Sequence, residues 1–200
     1  ESTLVSDAAI NMVDSLPMAE IGNVPFLIKS TDAMFEVLDG FLGDKLKEEY
    51  AKRGFELASF GLFGSVELGN SKHEIKTPED LKNLKIRVWE AEGPFRWLEN
   101  AGAQPTVMGF GEVYTALQQK TIDGVLTSES NFNVQGFREV CNYITAFGIF
   151  TNYRTLVFSK SWFDGLEPEA QEAIRQASKA AQDYCKEEQA PNERSKQLDM

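Results

Sequence analysis

Polar and aromatic side chains gather at the ends of three successive predicted strands of this chain. Arg87 lies late in the first strand, Phe110 follows the second, and Thr127 ends the third. In an open α/β sheet, ligands bind at the carboxyl ends of the strands, where loops and helix N-termini meet. A guanidinium, an aromatic ring and a hydroxyl at neighbouring strand ends could therefore bind a small polar ligand.

Four more side chains flank these three and could add contacts to the same ligand. They are Trp89, Glu90, Ser128 and Asn131. The indole can pack against the body of a ligand, and the hydroxyl, amide and carboxylate groups can form hydrogen bonds with it.

Each of the main candidates also has a purely structural interpretation. Arg87 could form an ion pair with Glu90, Asp80 or another acidic residue of this acid-rich chain. Phe110 could belong to the hydrophobic core, and Trp89 could be an amphipathic surface residue. The sequence pattern alone leaves these alternatives open.

Alternating strands and helices are predicted to position the candidate residues. Apolar Leu84, Ile86 and Val88 alternate with their neighbours, as in a strand that is buried on one face. The predicted strands cover residues 84–90, 105–108, 122–127, 143–150 and 155–158, and the predicted helices cover 94–102, 112–120, 134–140 and the residues from 167 onward. This order is typical of an α/β fold with a largely parallel sheet.

The first third of the chain is predicted to contain two helices and a strand. Ser30 or Thr31 can cap the first helix, Gly40 breaks it, and Gly54 ends the second helix. A strand over 55–63 follows, and a short strand over 3–6 and a helix or loop over 8–12 precede them.

The predicted helix after residue 167 has a face of small and apolar side chains. They are Ala170, Ala173, Ile174, Ala177, Ala181 and Tyr184. Polar and charged residues occupy the other side. We expect the apolar face to pack closely against a sheet or a lobe boundary.

Composition excludes several classes of protein. With 42% hydrophobic residues, the 200-residue chain can bury a substantial core. Its net charge of -11 repels nucleic acids, which are therefore not expected partners. No apolar run is long enough to span a membrane, so the chain is not expected to be membrane-embedded. Cys141 and Cys185 match no metal-binding or redox spacing, and no cofactor or metal is predicted.

An enzymatic function has little support in the sequence. The only histidine, His73, lies in the polar segment NSKHEIK, where a surface position is expected. The chain contains no GxSxG, P-loop, HExxH or complete GxGxxG motif. No residue is predicted to be catalytic, although an enzyme acting on small organic acids remains an alternative.

Three segments of the chain resemble the DctP family, the substrate-binding proteins of TRAP transporters. They are TPEDLKNLKIRV, AGAQPTVMGFGEVYTALQQKTIDG and SKSWFDGLEPEAQEAI, in the family's order and spacing. The resemblance implies a monomeric periplasmic receptor that closes around a small organic acid and delivers it to membrane permease subunits. It also implies that Arg87 pairs with the ligand carboxylate and that Phe110 packs beside the ligand. A sensing domain of the same fold, without transport, is the alternative.

The resemblance further implies a periplasmic-binding-protein-like two-lobed α/β fold with one lobe incomplete. Residues 1–64 are expected to form part of the first lobe, incomplete at its N-terminus, and residues 65–150 the second α/β lobe. Residues 151–200 are expected to form a return strand and a long helix that packs across the lobes. Asp7, in the first lobe, is a further candidate ligand contact.

Two positions depart from the family pattern. Gly64-Ser65-Val66 has valine where the family often has a second arginine, and Thr127 stands where the family often has an asparagine that contacts the ligand. A charged donor and an amide are therefore missing. We expect a monocarboxylate, or a less charged ligand with an apolar or ring portion, rather than a C4-dicarboxylate.

Overall fold

In the computed structural model, the backbone is described for residues 5–8 and 16–189 and the side chains for residues 16–187. Internal contacts divide the chain into two compact units. The first unit contains the described residues of Glu1–Ala19, Ser30–Gly64 and Asn152–Met200. The second contains Glu20–Lys29 and Ser65–Thr151. Two long strands belong to both units, so the chain passes between the units within regular structure.

The described residues form a mixed α/β fold. The strands are β1 (Val5–Ala8), β2 (Phe55–Asn70), β3 (Lys85–Val88), β4 (Gln104–Val107), β5 (Gly124–Ser128) and β6 (Tyr143–Ser159). The α-helices are α1 (Thr31–Leu38), α2 (Phe41–Lys52), α3 (Glu92–Asn100), α4 (Val113–Gln118), α5 (Glu129–Val134), α6 (Lys160–Asp164) and α7 (Pro168–Tyr184). Short 3-10 helices cover Pro17–Asn23, Pro78–Leu81, Phe110–Glu112 and Phe137–Glu139, and a π-helix covers Cys185–Gln189.

The sheet of the second unit has the strand order β6-β2-β5-β3-β4. Strand β3 runs parallel to both β4 and β5, as predicted for this part of the chain. Strand β2 pairs antiparallel with β5, so the sheet is mixed rather than largely parallel. The register pairs Arg87 with Val125 and Glu67 with Thr127. Because paired and alternate residues share a face, all four side chains lie on one face of this sheet.

Helices α4 and α5 cover that face with an apolar cluster. Its buried members are Val113, Ala116, Leu117, Ile122, Val125, Phe132, Phe137 and Cys141. Gly69 in β2 lets the Phe132 ring approach the strand, since a Cβ atom there would lie 2.3 Å from that ring. The cluster fixes the helices next to the ends of β3, β4 and β5, where the candidate residues lie.

In the first unit, the predicted helix signals define α1 and α2. The Ser30 hydroxyl caps α1 by accepting a hydrogen bond from the Ala33 N–H, and Gly40 separates the two helices. Leu46 and Tyr50 of α2 are buried. Strand β1 pairs antiparallel with β6.

The predicted packing face of α7 is wrong in part. Ala170 and Ile174 are half-buried, but Ala173, Ala177, Ala181 and Tyr184 are exposed, and Ser178 is the buried residue of the helix. The packed side also carries Gln182, which accepts a hydrogen bond from the Phe60 N–H and donates one to Asp39. A backbone donor on β2 therefore needs a polar side chain at the helix surface.

Several element bounds also differ from the predictions. Strand β2 extends to Asn70 rather than residue 63, and β6 is continuous over the two strands predicted at 143–150 and 155–158. In place of a helix over 134–140, α5 ends at Val134 and a 3-10 turn follows. The segment 8–12, predicted as a helix or loop, lies mostly outside the described residues.

Candidate ligand-binding site

Arg87 is a buried cation at the end of β3, with 6% of its surface exposed. Its Nε and Nη2 atoms donate hydrogen bonds to the Met108 carbonyl oxygen, at 3.1 and 3.0 Å. Among the described residues, no carboxylate forms an ion pair with Arg87: Glu90 is exposed, and Asp80 accepts bonds from the Lys76 and Thr77 N–H groups. The alternative of an ion pair with either acid is therefore wrong.

Burial shapes the electrostatics of this group. Loss of hydration lowers the pKa of Arg87 from 12.5 to about 10, which still leaves the guanidinium charged at neutral pH. A desolvated cation is stabilised when a carboxylate accepts hydrogen bonds from it, and the planar guanidinium can do this with two parallel bonds. Arg87 is thus equipped to bind an anionic group.

Phe110 lies directly beside Arg87. The guanidinium carbon is 5.4 Å from the centroid of the Phe110 ring, within the range of a cation–π contact. The ring also meets Phe137 edge to face, with centroids 5.8 Å apart, but keeps 38% of its surface exposed. Phe110 therefore packs at the edge of the apolar cluster and offers a free portion of its ring.

The end of β5 and the start of α5 supply polar groups. Thr127 is buried, and its Oγ1 accepts a hydrogen bond of 2.8 Å from Asn131 Nδ2. Ser128 is also buried, and its hydroxyl lies 3.1 Å from the Ser130 hydroxyl. Register places the Thr127 side chain on the Arg87 face and the Ser128 side chain on the opposite face. Thr127, bonded to Asn131, thus shares the sheet face of Arg87, and Ser128 does not.

Trp89 and Glu90, which directly follow β3, lie in different environments. The Trp89 indole is 7% exposed, donates its Nε1–H to Asn23 Oδ1 at 3.2 Å and meets the Phe150 ring edge to face. It is a core residue rather than a surface aromatic, and β3 is buried on both faces. Glu90 is exposed. Asp7 lies in β1 opposite Thr155, and its side chain is outside the described residues.

Two buried acids near this face, Glu67 and Glu129, are not among the site residues predicted from the sequence. Glu67 shares the face of Arg87 and Thr127, whereas Val66 points to the other face. Glu67 Oε2 accepts a hydrogen bond from the Gly148 N–H at 3.4 Å. Burial raises the pKa of Glu67, and the nearby Glu129 raises it further. A charged residue inside an otherwise apolar strand could have indicated Glu67, but the predicted strand ends at residue 63, before Glu67.

The described residues contain no group of three or more side chains suited to a metal ion. Cys141 is buried with a free thiol, and Cys185 is also a free thiol. Within the same part of the chain, no helix is long and apolar enough to cross a membrane.

Comparison with known proteins gives a consistent result. The sequence profile of the bacterial extracellular solute-binding proteins, family 7 (DctP), matches residues 2–198. The "2,3-diketo-L-gulonate-binding periplasmic protein YiaO" of Escherichia coli is 34% identical over 182 residues, which cover 87% of this chain and 53% of the relative. A solute-binding protein of Chromohalobacter salexigens is 30% identical over 88% of this chain and 51% of its own length.

Solved structures agree with the sequence comparison. A TRAP periplasmic solute-binding protein from a Sulfitobacter species, with bound β-D-galacturonate, has a TM-score of 0.90 at 27% identity, covering 96% of this chain and 64% of the other. A second, from Chromohalobacter salexigens with bound D-glucuronate, has a TM-score of 0.89 at 27% identity, covering 98% and 66%.

These matches confirm the periplasmic-binding-protein-like α/β fold predicted from the sequence. The chain spans about half the length of the curated relatives that it matches. The profile match over nearly all of its 200 residues shows that the chain belongs to the bacterial extracellular solute-binding proteins, family 7.

Proposed function

We propose that this chain belongs to a periplasmic receptor that binds a small organic acid and delivers it to a TRAP-type membrane permease. The observation that carries the proposal is Arg87, a buried cation without an ion-pair partner among the described carboxylates. Such a cation is costly unless an anion accompanies it in the working protein. The family's role in extracellular solute binding supports the same conclusion.

The proposed site uses three contacts. Arg87 anchors the ligand carboxylate through charge-assisted hydrogen bonds. The exposed part of the Phe110 ring packs against the carbon skeleton of the ligand. Thr127 and Asn131 orient polar groups of the ligand from the adjacent strand end. Glu90, Ser128 and Asp7 remain candidates for peripheral contacts, and Trp89 for a contact through its ring.

We favour sugar acids as the ligand class. The two structures described above hold galacturonate and glucuronate, and the name of the Escherichia coli relative refers to diketogulonate, whereas other matched proteins hold succinate or are named for C4-dicarboxylates. Each of these molecules carries a carboxylate that an arginine can bind.

A thermal-shift screen of organic acids tests the proposal. Each acid is compared with its neutral amide, because the two differ chiefly in the charge that Arg87 would bind. A receptor predicts a rise in Tm with at least one acid and little change with its amide. If no acid raises Tm, or acid and amide act equally, the proposal fails. Uptake with reconstituted permease subunits then separates transport from sensing.

A further inference from the structure

Glu67 lies on the sheet face that carries the ligand anchor. It pairs with Thr127 on β5, and Arg87 pairs with Val125 two residues earlier on the same strand. Strand β5 separates β2 from β3, so the two charged positions are two strand spacings apart across the sheet and two residues apart along it, or about 12 Å in all. Thr127 lies between them and presents a hydroxyl to the same face.

Glu129 supplies a second acid near Glu67, because it directly follows Ser128, which pairs with Val66, the chain neighbour of Glu67. Only 6% of its surface is exposed, and its Oε2 is buried without a hydrogen-bond partner among the described residues. Leaving a buried carboxylate oxygen unsatisfied is unfavourable, so such a group in a native protein calls for an explanation. A hydrogen-bond donor supplied by a ligand is one such explanation.

We propose that Glu67 and Glu129 form an acidic subsite that accepts hydrogen bonds from ligand hydroxyls and excludes a second carboxylate. The proposal rests on the function proposed above, because it assumes that Arg87 holds the first carboxylate. The ligand is then a polyhydroxylated monocarboxylate of sugar size, long enough to reach from Arg87 past Thr127. Hydroxyls donate to the acids, whereas a second carboxylate would add like charge where Glu67 and Glu129 already repel each other.

A ligand-binding role of Glu67 can be distinguished from a merely structural one. Its contacts with the Gly148 N–H and the Ser65 side chain hold the carboxyl in place, but they do not involve Glu129 Oε2. Substituting glutamine at either position keeps the side-chain shape and removes the negative charge. Selectivity against a second carboxylate should change in both variants, whereas a structural role affects only stability.

The test measures Kd for matched ligands by calorimetry with the complete protein. Aldonates such as gluconate and galactonate, and the uronates glucuronate and galacturonate, are compared with the corresponding aldarates, which carry a second carboxylate, and with hexanoate, which lacks hydroxyls. We expect the best of these sugar monocarboxylates to bind at least about tenfold more tightly than its aldarate and than hexanoate, a difference of about 1.4 kcal/mol each. In Glu67→Gln and Glu129→Gln, the ratio of monocarboxylate to aldarate affinity should fall at least about threefold.

The exposed Glu79→Gln serves as the matched control and should keep the parental ratio. An unchanged ratio in the folded Glu67 and Glu129 variants overturns the subsite, as does equal binding of hexanoate and aldonates. If one glutamine variant does not fold, the affinity ratio of the other still tests the subsite. Binding of other acids but of no aldonate or uronate also overturns the subsite while leaving the receptor function intact. Binding of no acid at all contradicts the receptor function itself.

Discussion

The guanidinium carbon of Arg87 lies 5.4 Å from the centroid of the Phe110 ring, and its Nε and Nη2 atoms donate to the Met108 carbonyl. These contacts fix the orientation of a cation that has no ion-pair partner among the described acids. An anchor held in this way loses little conformational entropy when a carboxylate binds.

Replacing Phe110 with alanine should weaken acid binding more than it weakens the fold. The ring is 38% exposed, so its truncation removes ligand and cation–π contacts that are together expected to contribute about 1–2 kcal/mol. We expect Kd to rise about tenfold in calorimetry. Phe41→Ala, at a ring that is 76% exposed in the first unit, is the control and should leave Kd unchanged. Equal effects of the two substitutions would argue against a role for Phe110 in the site.

Thr127→Val should show how much the Thr127 hydroxyl contributes to stability and binding, because the substitution removes the hydroxyl and nearly keeps the shape of the side chain. Valine fills nearly the same volume but cannot accept the bond that Asn131 Nδ2 donates at 2.8 Å. Loss of this buried bond should lower the free energy of unfolding by about 1 kcal/mol in urea denaturation and weaken ligand binding. Thr127→Ser restores the hydroxyl and should recover most of the binding. A serine variant as weak as the valine variant would show that the hydroxyl is not the relevant group.

Gly69→Ala should destabilise the second unit. The new methyl group would lie 2.3 Å from the Phe132 ring and 3.3 Å from Cys141 Sγ, inside the apolar cluster. Such overpacking costs about 1–3 kcal/mol, which chemical denaturation can measure. At Gly109 no atom lies within 4 Å of an added Cβ, so Gly109→Ala should cost much less. Equal stabilities of the two variants would contradict the described packing of Phe132 against β2.

Glu67→Gln should change how stability depends on pH. Burial raises the folded-state pKa of Glu67 above 4.5, and Glu129 adds to the rise, whereas hydrogen bonds from Ser65, Gly148 and Phe147 oppose it. The native state therefore binds this proton more tightly than the unfolded state. The contribution of Glu67 to the free energy of unfolding is greatest below pH 4.5 and falls as pH rises through the folded-state pKa.

Glutamine does not ionise, so the Glu67→Gln variant lacks this fall in the free energy of unfolding. The stability of the variant relative to the parent should therefore increase from acidic to neutral pH. Urea denaturation at a series of pH values measures the difference. The exposed Glu79→Gln again provides the baseline. A constant or decreasing difference for Glu67→Gln would mean that its carboxyl is not destabilised by burial.

The sequence predicted the family, the strands that carry the site and the place of Arg87, since these follow from local patterns. Alternation around Arg87 and the glycine and proline signals at helix ends are encoded within a few residues. The long strands β2 and β6, however, are determined by pairing over many residues, which local alternation does not reveal. For that reason Glu67 was not placed in a strand.

The packing of α7 shows the same limit. Counting apolar residues favoured its alanine-rich face, but Gln182 satisfies the Phe60 N–H, which is a tertiary requirement. Similarly, the face of Val66 and the partnership of Trp89 with Asn23 depend on register and long-range contact. A buried backbone donor must be satisfied, and this need outweighs the small gain from burying alanine methyl groups.

Calorimetric titration of the best-binding acid into the protein and into Arg87→Met tests directly whether Arg87 anchors the ligand. Methionine fills much of the same space without a charge, and the ligand-free variant should remain folded because the buried charge it removes is itself costly. We expect at least a hundredfold loss of affinity, or about 2.7 kcal/mol, because a charged hydrogen-bonded contact is removed. Unchanged affinity in a folded Arg87→Met variant would contradict the claim that Arg87 anchors the ligand carboxylate.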